Sequence, residues 1–211
     1  MVYPSRTLSL KSDGAGILLV MVLWLNVGLG VASLLLSLLQ VMAPDIYTPV
    51  RGFQFVRYYS QIPLGVITVI LFLVWMFQLH RDLWALFDLY PITPGESLAQ
   101  LMIPFYHLWG VWYVFWTLAG RLKSYGGAAL KLWLPLLYAS GVAIQLLNIF
   151  VLKESGDVKV SVSPAMWFTT LGVYLLFSIT ELEMTRVIRK SVGNRVKEIE
   201  GEKILAARPA Q

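Results

Sequence analysis

Apolar residues run almost unbroken through several parts of this chain, and the polar residues collect between those runs. The first run, Gly14 to Met42, ends before Pro44. It exceeds the 7–15-residue apolar core of a cleaved leader and suits a tilted crossing of a bilayer about 30 Å thick. Its small residues Gly28, Gly30, Ser33 and Ser37 allow close helix contact, and Asn26 and Gln40 are expected to bond to neighbouring helices. Residues 43–62 read as a loop, with Tyr58 and Tyr59 at headgroup level. Pro63 suits a first helical turn, which opens a second crossing closed by His80, Arg81 and Asp82. Leu130 to Leu152 reads as another crossing, with Gln145 and Asn148 inside it. Ser163 and Pro164 then read as N-cap and first position of the last.

One stretch breaks this pattern. Thr93-Pro94-Gly95-Glu96 has the spacing of a capping box with proline at the first helical position, so a helix starts there. Pro104 should end or kink it, because the ring clashes with the preceding turn and cannot donate. A second helix follows to about Leu122. On it Trp109, Trp112, Tyr113 and Trp116 recur at three and four residues and share one face. Tryptophan and tyrosine prefer the boundary between lipid and water. The helix break at Pro94, Gly95 and Pro104 and this aromatic face point to an interfacial or re-entrant segment over 94–122. An ordinary kinked crossing is the alternative.

No stop signal follows residue 180 until Pro209. Ile188, Val192, Val196 and Ile199 keep a helical stripe, so the last crossing is expected to continue as an amphipathic helix, with a weak point at Gly193. Arg186, Arg189, Lys190, Arg195 and Lys197 make a basic cluster beside the membrane. Such a cluster serves a solvated face, a partner-docking surface or an anionic lipid surface, where each cation contributes about 1 kcal/mol.

The expectation is an all-α membrane protein with four transmembrane helices, about 15–42, 63–84, 130–152 and 164–181. A bundle over 1–180 then precedes a basic helix and tail over 181–211. Charge chooses between four and five crossings. Of the 17 Lys and Arg residues, four crossings put 13 on one side and 4 on the other; five put 12 against 5. Positive residues favour the cytoplasm, so four crossings with the C-terminus cytoplasmic are preferred. Five crossings keep the C-terminus there and move the N-terminus outside.

Composition agrees with this placement. The chain of 211 residues is 57% hydrophobic and 14% charged, against about 45–50% and about 25% in soluble domains. It has no cysteine, which excludes disulfides, thiolate metal sites and cysteine nucleophiles. The cations gather after residue 180 without the aromatic–basic surface of a nucleic-acid binder.

Catalytic chemistry finds little to stand on. The chain has no Walker, GxSxG or HExxH motif, and ionisable residues are nearly absent inside the crossings. His80 and His107 are the two histidines and the weak candidates for a metal or for a tetrapyrrole axial position. No catalytic residue, resident metal or cofactor is expected, with tetrapyrrole or lipid as the groups such a surface would take. The leading reading is a non-catalytic accessory or scaffold subunit of a larger membrane complex. Its partners are the bilayer and other membrane-protein subunits, and its place is the bacterial inner membrane. A small-molecule transporter or channel using the Pro104 break, Gln78, Gln145 and Asn148 is one alternative. A haem- or pigment-binding membrane protein using His80 and His107 is the other.

Residues 71–123 also resemble the uncharacterised bacterial membrane family called domain of unknown function 4328. The resemblance rests on the apolar helix ending at Trp75 to Trp84, on Thr93-Pro94-Gly95, and on Ile103-Pro104-Phe105-Tyr106-His107-Leu108-Trp109. Asparagine is common in the family where His107 stands, and a second proline often follows the tryptophan, where Gly110 and Val111 follow here. The resemblance implies a small multi-span protein of unassigned activity and supplies no catalytic residue.

Overall fold

In a computed structural model the described residues are 10–45, 47, 52–155 and 164–206. Every element among them is helical. The helices are α1 (Lys11–Met42), α2 (Gly52–Leu86), α3 (Pro94–Met102), α4 (Pro104–Arg121), α5 (Leu130–Ser155) and α6 (Pro164–Ala206). Short 3-10 turns at Lys123–Tyr125 and Gly127–Ala129 join α4 to α5. Three stretches are long and apolar enough to cross a membrane: Lys11–Met42, Tyr59–Leu86 and Gly127–Leu147. The fourth expected crossing lies in α6, which is not among these three stretches of the described residues.

Several boundaries differ from the sequence pattern. Residues 52–62 are not loop: α2 begins at Gly52, and Pro63 sits inside a 35-residue helix. A single interior proline removes one backbone bond, which a helix with polar neighbours at membrane depth can tolerate. The same helix runs past His80 and Asp82 to Leu86, so those residues are not a wet helix end. Gly193 is no weak point either, because α6 is continuous for 43 residues. Val192 and Val196 bury one face beside it and hold the helix through the glycine. No stop separates 180 from 181 in that helix.

The chain forms two compact units. One draws on Val20–Ile70 and Pro135–Glu183. Its interior is narrow, with Leu23, Val27, Leu137, Ile144 and Leu171 buried. Gly30 and Gly141 lie against Leu175 and Phe177, so small residues set the helix approach. Its hydroxyls mostly bond within their own helix, as Ser37 does to the Ser33 carbonyl, Thr68 to Leu64 and Thr180 to Leu176. Asn26 crosses between helices, donating to Thr68 Oγ1 at 3.0 Å. The outward side chains, among them Met21, Trp24, Leu35 and Val69, are apolar and exposed.

The other unit draws on Met1–Leu19, Leu71–Leu134 and Met184–Gln211. Its core is denser: Leu19, Trp75, Met76, Leu79, Leu83, Ile92, Leu118, Leu122, Leu130 and Leu134 are buried almost completely. Polar bonds between segments distant in sequence tie it together. The carboxylate of Asp82, on α2, accepts the backbone N–H groups of Lys11 at 3.3 Å and Ser12 at 2.8 Å. It therefore caps the start of α1 and satisfies donors that a helix N-terminus leaves open. Arg189 on α6 pairs with Asp13 at 2.8 Å. Asn194 donates to the Tyr125 carbonyl at 2.9 Å, and Arg121 to the Leu89 carbonyl at 3.2 Å.

Candidate functional site

The hairpin of α3 and α4 positions the aromatic face. Thr93 accepts from the Glu96 N–H while Glu96 reaches back to the Thr93 N–H, which closes the capping box with Pro94 in the first turn. Gly95 lies in that turn with open space around it. At Ile103 the backbone turns extended (φ −78°, ψ 119°), and Pro104 opens α4. The restriction that proline places on its predecessor accounts for that geometry. Gly110 lets α4 approach the Gln100 backbone so closely that a Cβ would overlap its carbonyl oxygen. Gly126, at φ 100°, makes the left-handed step between the 3-10 turns.

This packing sorts the two faces of α4. Val114, Phe115, Leu118 and Ala119 are buried. Trp109, Trp112, Tyr113 and Trp116 all point outward, Trp109 with 82% of its surface exposed. Trp112 and Trp116 stack, with centroids 5.8 Å apart and planes 14° apart. The Lys131 ammonium stands 4.7 Å from the Trp116 ring centroid, within cation–π range. The outward surface of this helix is thus aromatic with a cation at its edge, where a water-facing helix would show charge.

The basic residues of α6 divide. Arg189 turns to Asp13, and its aliphatic stem and Trp75 press on Gly16, where a Cβ would meet Arg189 Cδ at 2.8 Å and Trp75 Nε1 at 2.9 Å. Arg195 pairs with Glu198 at 2.6 Å and lies over the rings of Phe87 and Tyr125, 5.5 and 5.4 Å from their centroids. That Arg195 bond holds the Glu198 carboxyl below its ordinary range. Arg186, Lys190 and Lys197 remain exposed at intervals of four and seven, one stripe along the helix.

His80 is fully buried. Its Nδ1 lies 2.9 Å from the Met76 carbonyl, which accepts only if Nδ1 carries the proton, so Nε2 of the neutral ring is left with a lone pair. Nε2 has no partner, and the ring lies 5.7 Å from that of Tyr90, whose hydroxyl is also buried without one. Burial holds the Tyr90 hydroxyl well above its ordinary range, against the pull of Arg121. No residue pattern signals that Tyr90 faces His80, since a loop residue carries no period. His107 lies in α4, and its side chain falls outside the described residues. Among the described residues no three His, Cys, Asp or Glu side chains gather as metal ligands. Of the polar residues named for a channel, Gln145 is exposed, Gln78 buries its Oε1 without a partner, and the Asn148 side chain is outside the described residues. Comparison of the chain with known proteins finds no matching family model, no matching curated protein and no matching solved structure.

Proposed function

We propose that this protein is a non-catalytic, multi-span membrane subunit. Its α3–α4 hairpin rests at the bilayer surface, and its C-terminal helix offers a basic stripe to a partner subunit on the cytoplasmic side. The observation that carries this reading is the outward aromatic face of α4 with Lys131 against it. The ties around the hairpin support a reading with four crossings. The first turn of α1 is bonded to Asp82 near the end of α2, and Trp116 near the end of α4 touches Lys131 at the start of α5. Phe87, just past α2, meets Tyr125 at 6.0 Å. These contacts support a chain that leaves α2 and begins α5 at one level, with no net crossing over residues 87–129. Arg186, Lys190 and Lys197 then lie on the positively charged side, which is the cytoplasmic side of a bacterial inner membrane. The resemblance of residues 71–123 to domain of unknown function 4328 implies the same small multi-span architecture.

Extraction of the native membrane in mild detergent tests this function. The 23.8 kDa chain is expected to migrate within a larger assembly, and Lys190→Glu with Lys197→Glu is expected to release it. A wild-type chain that migrates alone overturns the proposal. A second reading, a haem- or pigment-binding protein, is favoured by the unpartnered Nε2 of His80 with Nδ1 anchored on a backbone carbonyl, the arrangement of many metal-ligating histidines. A Soret band in the purified protein that is lost in His80→Phe would establish it, and a colourless protein would remove it.

A further inference from the structure

We propose that Trp112, Trp116 and Lys131 receive the phosphodiester of an anionic phospholipid; this rests on the reading above that α4 stays at the membrane surface. The first argument is depth. Lys131 lies near the start of the apolar stretch Gly127–Leu147, so a crossing that begins there sets its ammonium at headgroup level. Trp116 is held to that ammonium at 4.7 Å, and Trp112 is stacked on Trp116, so both indoles share the same depth.

The second argument is the chemistry of the face. Indoles and a phenol combine an apolar body with a polar edge, and that pairing fits the layer between acyl chains and water. The ring of Trp116 covers one side of the Lys131 ammonium. The ammonium has three N–H donors in all, and one ring cannot occupy them together. A phosphodiester oxygen is the acceptor that meets such a donor with a charge-assisted bond.

The third argument is charge. Arg121, Lys123 and Lys131 are exposed, and no acidic residue occurs between Glu96 and Glu154. A segment with cations and no carboxylate of its own favours an anionic headgroup over a zwitterionic one, and Glu198, which α6 brings beside Tyr125, is taken up by Arg195. An acidic protein partner would need the same charge, but it would not need the aromatic face at the start of a crossing.

The test uses full-length protein in lipid nanodiscs of phosphatidylcholine alone or mixed with phosphatidylglycerol, followed by native mass spectrometry of the lipid retained. The wild type is expected to keep phosphatidylglycerol about fivefold over phosphatidylcholine, the ratio one interfacial lysine supplies. Lys131→Gln and Trp116→Leu, both at exposed positions, are expected to bring the ratio close to one, while Lys203→Gln, exposed in the last turn of α6, leaves it unchanged. A ratio near one in the wild type overturns the lipid site, and so does a ratio that falls only with Lys203→Gln. Quenching by lipids brominated near the headgroup separates the two proposals. If the emission lost in Trp116→Phe is quenched but no anionic preference exists, the surface position of α4 stands and the headgroup site fails. If no bromine depth quenches that emission, both fail and the face belongs to a protein interface.

Discussion

The two compact units use different physics for the same task of holding helices together. The unit of Val20–Ile70 and Pro135–Glu183 faces outward with exposed Met21, Leu35 and Val69 and turns its hydroxyls back on their own helices. Such i to i−4 bonds satisfy a polar group without specifying a neighbour. Contact between helices is left to small residues, since lipid tails give no hydrophobic drive for helices to associate. The unit of Met1–Leu19, Leu71–Leu134 and Met184–Gln211 joins remote segments through Asp82, Arg189, Asn194 and Arg121. Directional polar bonds fix register: the bond of Asp82 to Ser12 is buried, and those of Arg189, Asn194 and Arg121 lie exposed at the edge of a dense apolar core. Specificity is concentrated in one unit and permissive packing in the other.

Substitutions can break or sharpen this contrast. The largest effect is expected at Gly110, where a methyl group would overlap the Gln100 carbonyl, a backbone atom that cannot swing away. Gly110→Ala should cost about 3 kcal/mol in thermal or denaturant unfolding of the detergent-solubilised protein. Gly28→Ala, with open space around it in the lipid-like unit, should instead stabilise by about 0.5 kcal/mol. Asp82→Ala comes next. It removes two bonds to a charged acceptor and leaves the Ser12 N–H buried, a loss of about 2–3 kcal/mol, and hydrogen exchange should speed at Lys11 and Ser12. Ser140→Ala, whose bonds to the Leu136 and Leu137 carbonyls are internal to α5, should change stability by less than about 0.5 kcal/mol. If the two serve alike, the contrast between the units is wrong.

Two pH effects are smaller. The Tyr90 hydroxyl ionises at higher pH in the folded protein than in the unfolded chain. Its contribution is therefore complete below the ordinary tyrosine range near 10 and falls as pH rises through it. Tyr90→Phe should flatten that alkaline loss and leave neutral stability nearly unchanged, since the buried hydroxyl has no partner to lose. Glu198 shifts the other way: its lowered value means a contribution present above the ordinary carboxylate range and lost as pH falls through its folded value. In Glu198→Gln the acid limb of a stability–pH profile should be slightly flatter, and no more, because that carboxylate is fully exposed.

Which parts were legible follows from the same contrast. Apolar runs announced α1, α5 and most of α2, because a crossing must be apolar over its whole length. The capping box at Thr93 and the break before Pro104 were legible because both are local backbone chemistry. The first third of α2 was not, since Pro63 looked like a start and a helix can carry one proline inside. The roles of Asp82 and Arg189 were hidden for a different reason. Their partners lie 70 and 176 residues away, and no periodicity encodes a pairing over that distance. The outward aromatic stripe of α4 could be read from spacing, but its stacking on Lys131 required the turn at Gly126.

The cap that Asp82 places on α1 also bears on how the molecule is made. Translation delivers the first helix some seventy residues before its cap, a delay of several seconds at about 5–20 residues per second. Through that interval the amide groups of Lys11 and Ser12 must be served by water. The nascent chain therefore keeps its leading end at an aqueous surface until α2 has been synthesised far enough to bring Asp82 back to it.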